Sequence, residues 1–157
     1  MNNVLTAGIL MGLGGTLAMD VWAWALNRVA GVPLPNWAMV GRWVGHLPRW
    51  RHDDIGEATP VGRELALGWA FHYFVGVVYG VVFVGLVGPD WLAAPTLLPV
   101  WVFAIATIAA GWFILQPGLG LGWAASKTPA PWTARGLGLV AHTVFGLGMW
   151  VVAVMLS

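Results

Sequence analysis

The fold is decided by residues 65–87, which read LALGWAFHYFVGVVYGVVFVGLV and contain no Asp, Glu, Lys or Arg. A helix needs about 20 consecutive apolar residues to cross the hydrocarbon core of a bilayer. Three further stretches meet this requirement, at about residues 4–30, 95–116 and 136–156. Because none of the four alternates between apolar and polar residues, we expect four spanning helices and no membrane barrel.

The composition supports the same class. The chain has 157 residues, of which 59% are hydrophobic and 8% are charged, whereas a soluble domain carries about 25% charged residues. A net charge of +1 and the absence of cysteine exclude a nucleic-acid binder, disulfides and thiolate metal sites. We therefore expect an all-α integral membrane protein whose main partner is the lipid bilayer.

The connections between the spans predict the topology. A long loop over residues 31–64 follows the first helix, a short turn over 88–94 follows the second, and residues 117–135 follow the third. Short connections force neighbouring helices to run antiparallel. The sequence thus predicts one domain over residues 1–157, an up-down four-helix bundle with a long loop between helices one and two.

The basic residues predict the orientation. In the four-span topology all seven fall on the side of the long loop, at positions 28, 42, 49, 51, 63, 127 and 135. Lys and Arg collect on the cytoplasmic side of membrane proteins. We expect a cytoplasmic long loop and two periplasmic termini. The apolar part of that loop, residues 37–45, is too short to span, so we expect it to lie in the interface or to dip back toward the bundle.

Three ionisable side chains and one amide stand out within the predicted spans, where such groups are costly and usually mark function. They are Asp20, His72, Gln116 and His142, one in each helix. At about 1.5 Å per residue, all four fall roughly in the cytoplasmic third of the bilayer. We expect these four side chains to form one ligand-binding polar layer near the cytoplasmic face.

Small residues repeat at steps of four along the helices that carry these groups. Residues four apart share one helix face, and small residues let helix backbones approach closely in lipid. The repeats are Gly8, Gly12, Thr16 and Asp20 in helix one, Gly68, His72, Gly76 and Gly80 in helix two, and Gly138, His142 and Gly146 in helix four. The pattern places both histidines on faces that turn toward neighbouring helices, where they either bind a ligand or only form hydrogen bonds across the packing.

Six segments carry a resemblance to a known family. They are residues 18–22 (AMDVW), 41–46 (GRWVGH), 64–73 (ELALGWAFHY), 116–120 (QPGLG), 125–129 (ASKTP) and 142–146 (HTVFG). These segments resemble a family of small bacterial inner-membrane proteins, family 2938 of the domains of unknown function. The resemblance implies a four-span inner-membrane protein and does not imply an activity.

One functional hypothesis is a metal or haem site. Two histidines from two helices are able to ligate a haem b iron from both faces, with Arg63 and Arg135 near the cytoplasmic mouth for the propionates. A divalent metal would instead take imidazole and carboxylate ligands from the loop and the spans. That set consists of His46, His52, Asp53, His72 and His142.

A second hypothesis is a proton-coupled transporter, in which Asp20 exchanges a proton for a cationic substrate and tryptophans offer cation–π surface. Because four helices enclose little space, this hypothesis requires a homodimer. A third is a non-catalytic subunit of a larger membrane complex. An enzyme acting on lipids or quinones is a further alternative, although the sequence shows no nucleophile constellation.

Overall fold

The computed structural model describes residues 2–49 and 55–157, and within these ranges the chain is helical with connecting turns and no strand. Three short 3₁₀ turns cover Leu47–Arg49, Ile55–Glu57 and Trp123–Ala125. The five helices are α1 (Asn2–Ala30), α2 (Trp37–His46), α3 (Glu64–Ala93), α4 (Leu97–Ala110) and α5 (Pro131–Leu156). The predicted all-α class is therefore confirmed for the described chain.

Among the described residues, four helical segments are long and apolar enough to cross a membrane, with mean hydropathy between 1.6 and 2.1. They are Val4–Ala30, Glu64–Ala93, Leu97–Gly118 and Pro131–Leu156. The last begins five residues before the predicted position 136, because a proline fits the first position of a helix and starts it at Pro131. The second contains a break at Gly88, whose φ is +77°, so the predicted turn after residue 87 is a kink followed by a short helical turn.

Contacts divide the described chain into two compact units. Unit 1 comprises residues 2–34, 73–107 and 140–157, and unit 2 comprises residues 35–49, 55–72 and 108–139. The core of unit 1 takes side chains from all four long helices. They are Met11 from α1, Phe83 and Val84 from α3, Val100 and Ala104 from α4, and Phe145, Met149 and Ala153 from α5.

In unit 1, α1 and α3 meet along a seam of small residues. A Cβ added at Gly12 would collide with the backbone of Gly76, and one added at Gly80 would collide with the carbonyl oxygen of Gly8 and lie 2.6 Å from the Gly12 nitrogen. The Thr16 hydroxyl, which is buried, donates a 2.8 Å hydrogen bond to the Gly12 carbonyl. The glycines at steps of four in α1 and α3 of this unit are therefore positions where the two backbones meet.

In unit 2, the apolar loop segment forms α2 and packs against the first turns of α3. Gly41 and Gly68 are in backbone contact, since a Cβ on Gly41 would collide with the Glu64 carbonyl and one on Gly68 with the Trp37 carbonyl. Beside this contact, Arg42 donates to both carboxylate oxygens of Glu64, at 2.7 and 3.1 Å. This hydrogen bond raises the pKa of the Arg42 guanidinium, which is therefore charged at any working pH.

The helical span that contains α4 changes its winding near its end. Residues Gly111–Leu115 form a π-helical turn that leads into Gln116–Gly118. Pro117 has no N–H to donate to the carbonyl four residues earlier, and a wider turn relieves the clash of its ring with that carbonyl. The helix then closes with bonds from Gly120 N to the Pro117 carbonyl and from Leu121 N to the Gln116 carbonyl, a glycine-dependent helix end.

The turn that follows is strained. Ala124 and Ala125 adopt φ values of +46° and +59°, which cost an L-residue with a Cβ roughly 1–2 kcal/mol each. The Ala124 carbonyl accepts a 2.8 Å hydrogen bond from Arg135 Nε. The turn is thus held in an unfavourable backbone conformation by contacts within unit 2.

Replacing Ala124 with glycine should stabilise the protein by about 1 kcal/mol, because the relief of left-handed strain exceeds the added entropy of the unfolded chain. The matched control is Ala134→Gly in α5, a helical position where glycine should destabilise by about 1 kcal/mol. Chemical unfolding in detergent micelles measures both changes. Equal destabilisation by the two variants would show that the Ala124 backbone is unstrained.

Candidate functional site

Asp20 lies in α1 and is bonded to a tyrosine of α3. The Tyr73 hydroxyl donates a 2.8 Å hydrogen bond to Asp20 Oδ2, and the pair is partly buried within unit 1. Asp20 follows Thr16 by one helical turn, so the carboxylate continues the small-residue face of α1 beyond the glycine seam. The intramembrane acid predicted from the sequence therefore has a partner on a neighbouring helix.

His142 lies in α5 and faces α4 within the same unit. Its Nδ1 lies 3.0 Å from the Ala104 carbonyl oxygen and 3.1 Å from Thr107 Oγ1. Since the Thr107 hydroxyl itself donates to the Ala104 carbonyl at 2.6 Å, one backbone oxygen fixes both side chains. Both contacts of His142 use Nδ1, which leaves Nε2 as the nitrogen for a further partner.

His72 belongs to unit 2, where it lies among tryptophans. Its ring stacks on Trp37 of α2 with 4.0 Å between centroids and 29° between planes, and the edge of Trp69 approaches it at 5.9 Å. The Trp37 and Trp69 rings are themselves 5.3 Å apart. His72 thus takes part in the docking of α2 on α3, a packing role for a histidine that the sequence marks as a ligand.

Gln116 also belongs to unit 2, at the junction of the π-helical turn and Pro117. Its Oε1 is buried and has no hydrogen-bond partner among the described residues.

The sequence also predicts Arg63 and Arg135 near the cytoplasmic mouth of the site. Arg63 is exposed and precedes α3, whereas Arg135 is half-buried against Ala124 and Trp132. The meeting of Asp20, His72, Gln116 and His142 in one layer stays a prediction.

The predicted metal set has no support in the described part of the chain. Among residues 2–49 and 55–157, no group of three or more His, Cys, Asp or Glu side chains is arranged to hold a metal ion. His46 is buried at the end of α2, with Nδ1 2.9 Å from the Arg42 carbonyl. His52 and Asp53 lie outside the described residues.

A comparison with known protein families identifies the family of the chain. The model of the family described as "Protein of unknown function (DUF2938)" matches residues 9–156. The chain belongs to this family. No curated protein and no solved structure matches it. The resemblance seen in the sequence is confirmed, and membership of DUF2938 carries no activity, so any function must come from the site itself.

Sequence reasoning missed the direct partners of the polar groups in this DUF2938 chain. Tyr73 is the neighbour of His72 along α3, and its hydroxyl is the kind of group that a buried carboxylate requires. Thr107 is a hydroxyl inside an otherwise apolar span, which was a usable signal. The stacking of Trp37 on His72 had no sequence signal, because the two residues are 35 positions apart and meet only through the docking of α2.

Proposed function

We propose that this chain is a multi-pass membrane protein that binds an organic cation at the Asp20–Tyr73 pair. The observation that carries the proposal is the 2.8 Å hydrogen bond from the Tyr73 hydroxyl to Asp20 Oδ2, between two helices long and apolar enough to span a bilayer. The Tyr73 hydroxyl brings no positive charge to the pair, so an organic cation would be the counter-charge of the carboxylate. Away from bulk water a carboxylate attracts a cation strongly.

The contacts within unit 1 support one polar layer made of Asp20, Tyr73, Thr107 and His142. Gly15 packs on Phe145 and Gly148 packs on Ala18, so these parts of α1 and α5 share a level. Gly14 meets Val152 and Gly15 meets Phe145, so α1 and α5 run antiparallel here. Asp20 follows these contacts in α1 and His142 precedes them in α5, so both residues lie on the same side of the contacts. Tyr73 and Thr107 are at this level because they contact Asp20 and His142, respectively.

The proposed layer differs from the set of four side chains predicted from the sequence. Each of the four long helices still contributes one polar side chain, but the contributors from α3 and α4 are Tyr73 and Thr107. The alternative is a purely structural role, in which the four polar side chains of the layer only form hydrogen bonds within the protein. Asp20 favours a binding role, since an intramembrane carboxylate is expensive to keep unless it is used.

An organic cation fits this pair better than a metal ion does. A divalent metal requires several oxygen or nitrogen ligands, whereas a substituted ammonium or phosphonium needs one carboxylate and aromatic surface. The Tyr73 hydroxyl contacts the carboxylate, and the ring that carries it would be the aromatic surface for a cation–π contact. A cation site at Asp20 is also what the transporter hypothesis requires.

The wider arrangement is part of the proposal. We infer a single transmembrane domain of four helices in up-down order in the bacterial inner membrane, with the α1–α3 connection in the cytoplasm and both ends of the chain in the periplasm. The support is the four candidate spans and the sequence positions of the seven basic residues, which an up-down four-span topology would put on one side. A homodimer or a larger complex is compatible with this topology.

Equilibrium binding of tetraphenylphosphonium, a permanently charged aromatic cation, tests the proposal. The detergent-purified protein should bind this probe, and Asp20→Asn should weaken binding about tenfold or more, which is about 1.4 kcal/mol.

The matched control is Asp90→Asn, which removes the same charge from an exposed turn and should leave the affinity unchanged. Circular dichroism confirms that each variant is folded. Equal affinities of the parent protein and Asp20→Asn would refute the cation site, as would an absence of binding.

A further inference from the structure

The turn between α4 and α5 holds one arginine in a fixed position. Arg135 Nε donates a 2.8 Å hydrogen bond to the Ala124 carbonyl, and the guanidinium carbon lies 4.5 Å from the centre of the Trp132 ring. The first contact is made by Nε, and in the second the guanidinium carbon lies over the indole ring. The terminal nitrogens are the donors that remain for a ligand, and their fork matches two oxygens of a phosphate.

The carbonyl that anchors Arg135 belongs to a strained residue. Ala124 has φ +46° and ψ +47°, and Ala125 follows with φ +59°. Strained backbone persists where the surrounding structure over-determines it, and such positions cluster at ligand clamps. Here the strained conformation directs a carbonyl at Arg135 and so fixes the guanidinium before any ligand arrives.

The charged residues in this part of the sequence are all basic. Residues 91–157 contain no Asp or Glu, whereas they include Lys127 and Arg135. Lys127 is exposed on the same turn. Residues 91–157 therefore provide no carboxylate to neutralise Arg135, and the ion pair found among the described residues joins Arg42 to Glu64 and leaves Arg135 out.

Two tryptophans indicate the depth of the turn in the membrane. The Trp132 and Trp123 side chains are 80% and 68% exposed, and both lie where a long apolar helical segment begins or has just ended. Exposed indoles at the ends of spans lie at the level of the lipid headgroups. The guanidinium over Trp132 therefore lies where phospholipid phosphates are found.

From these observations we propose that Arg135, fixed by the Ala124 carbonyl and the Trp132 ring and assisted by Lys127, binds the phosphate of an anionic phospholipid. The site lies within unit 2 and is independent of the cation site at Asp20. Anionic lipids are favoured over zwitterionic ones, because the positive charge of Lys127 adds to that of Arg135 with no acidic residue near them in sequence.

Native mass spectrometry of the detergent-solubilised full chain, titrated with phosphatidylglycerol or phosphatidylcholine, tests this proposal. We expect preferential retention of phosphatidylglycerol, a loss of about tenfold with Arg135→Gln, and an intermediate loss with Arg135→Lys, which keeps the charge without the fork. Since Arg135→Lys preserves the positive charge beside Ala124 and Trp132, it keeps the test valid if Arg135→Gln fails to fold.

The matched control is Arg28→Gln. Arg28 also stands over an indole, 5.4 Å from the Trp24 ring centre, but the described hydrogen bonds include none that anchors it. We expect this variant to retain the lipid. The proposal is overturned if both glutamine variants lose phosphatidylglycerol equally, if Arg135→Lys binds as well as the parent protein, or if inorganic phosphate displaces the lipid and binds without it.

Discussion

Replacing Gly80 with valine should lower the free energy of unfolding by about 3 kcal/mol, the upper part of the range for overpacked sites. A Cβ at this position would collide with the carbonyl oxygen of Gly8 and would lie 2.6 and 2.9 Å from the Gly12 nitrogen and Cα. All three atoms belong to the α1 backbone, so no flexible side chain can move aside. The two helices must separate, and Met11 and Val84 of the core nearby lose packing.

The control lies on the same helix. Gly85 has nothing within 4 Å of an added Cβ, so Gly85→Val changes the helix propensity in the same way without a collision. Its unfolding free energy in detergent should stay within about 0.5 kcal/mol of the parent value. If Gly85→Val were as destabilising as Gly80→Val, the close approach of α1 and α3 would be wrong.

Replacing Tyr73 with phenylalanine should destabilise the protein by about 1.5 kcal/mol, because it deprives the Asp20 carboxylate of a hydrogen-bond donor. Hydrogen bonds to charged groups are worth about 1.5–3 kcal/mol, and the lower value applies because this pair is only partly buried. Tyr79→Phe is the control, since Tyr79 packs by ring contacts with Phe103 and Phe145.

A double-mutant cycle with Asp20→Asn isolates the contribution of the pair. The destabilisation caused by Tyr73→Phe should shrink by about 1 kcal/mol when Asp20 is already replaced, because the charge-assisted bond is then absent. Strictly additive effects of the two substitutions would show that Tyr73 and Asp20 do not interact in the folded protein.

The four spans could be read from the sequence because each is a long apolar segment, and hydropathy reports length and composition directly. The boundaries were less certain where proline and glycine act locally, as at Pro131 and Gly88. The docking of α2 was beyond sequence reasoning. It depends on Gly41 meeting Gly68 and on Arg42 reaching Glu64, contacts across 22 or more residues that no periodicity encodes.

The sequence was enough to predict Asp20 as a site residue, but it did not predict that Tyr73 is its hydrogen-bond partner. Asp20 and His142 stood out because ionisable groups are rare in apolar spans. Depth along a helix says how far a residue is from the membrane surface but leaves open which neighbour it faces. His72 and Tyr73 are consecutive, and helix geometry turns their side chains about 100° apart, so only coordinates show that Tyr73 contacts Asp20.

An infrared difference spectrum between tetraphenylphosphonium-bound and probe-free protein would show whether the cation binds at Asp20. We predict a change in a carboxyl band that disappears in Asp20→Asn and persists in Asp90→Asn, since only Asp20 would contact the cation. A spectrum without any carboxyl change, or one that Asp20→Asn leaves intact, would contradict the cation site.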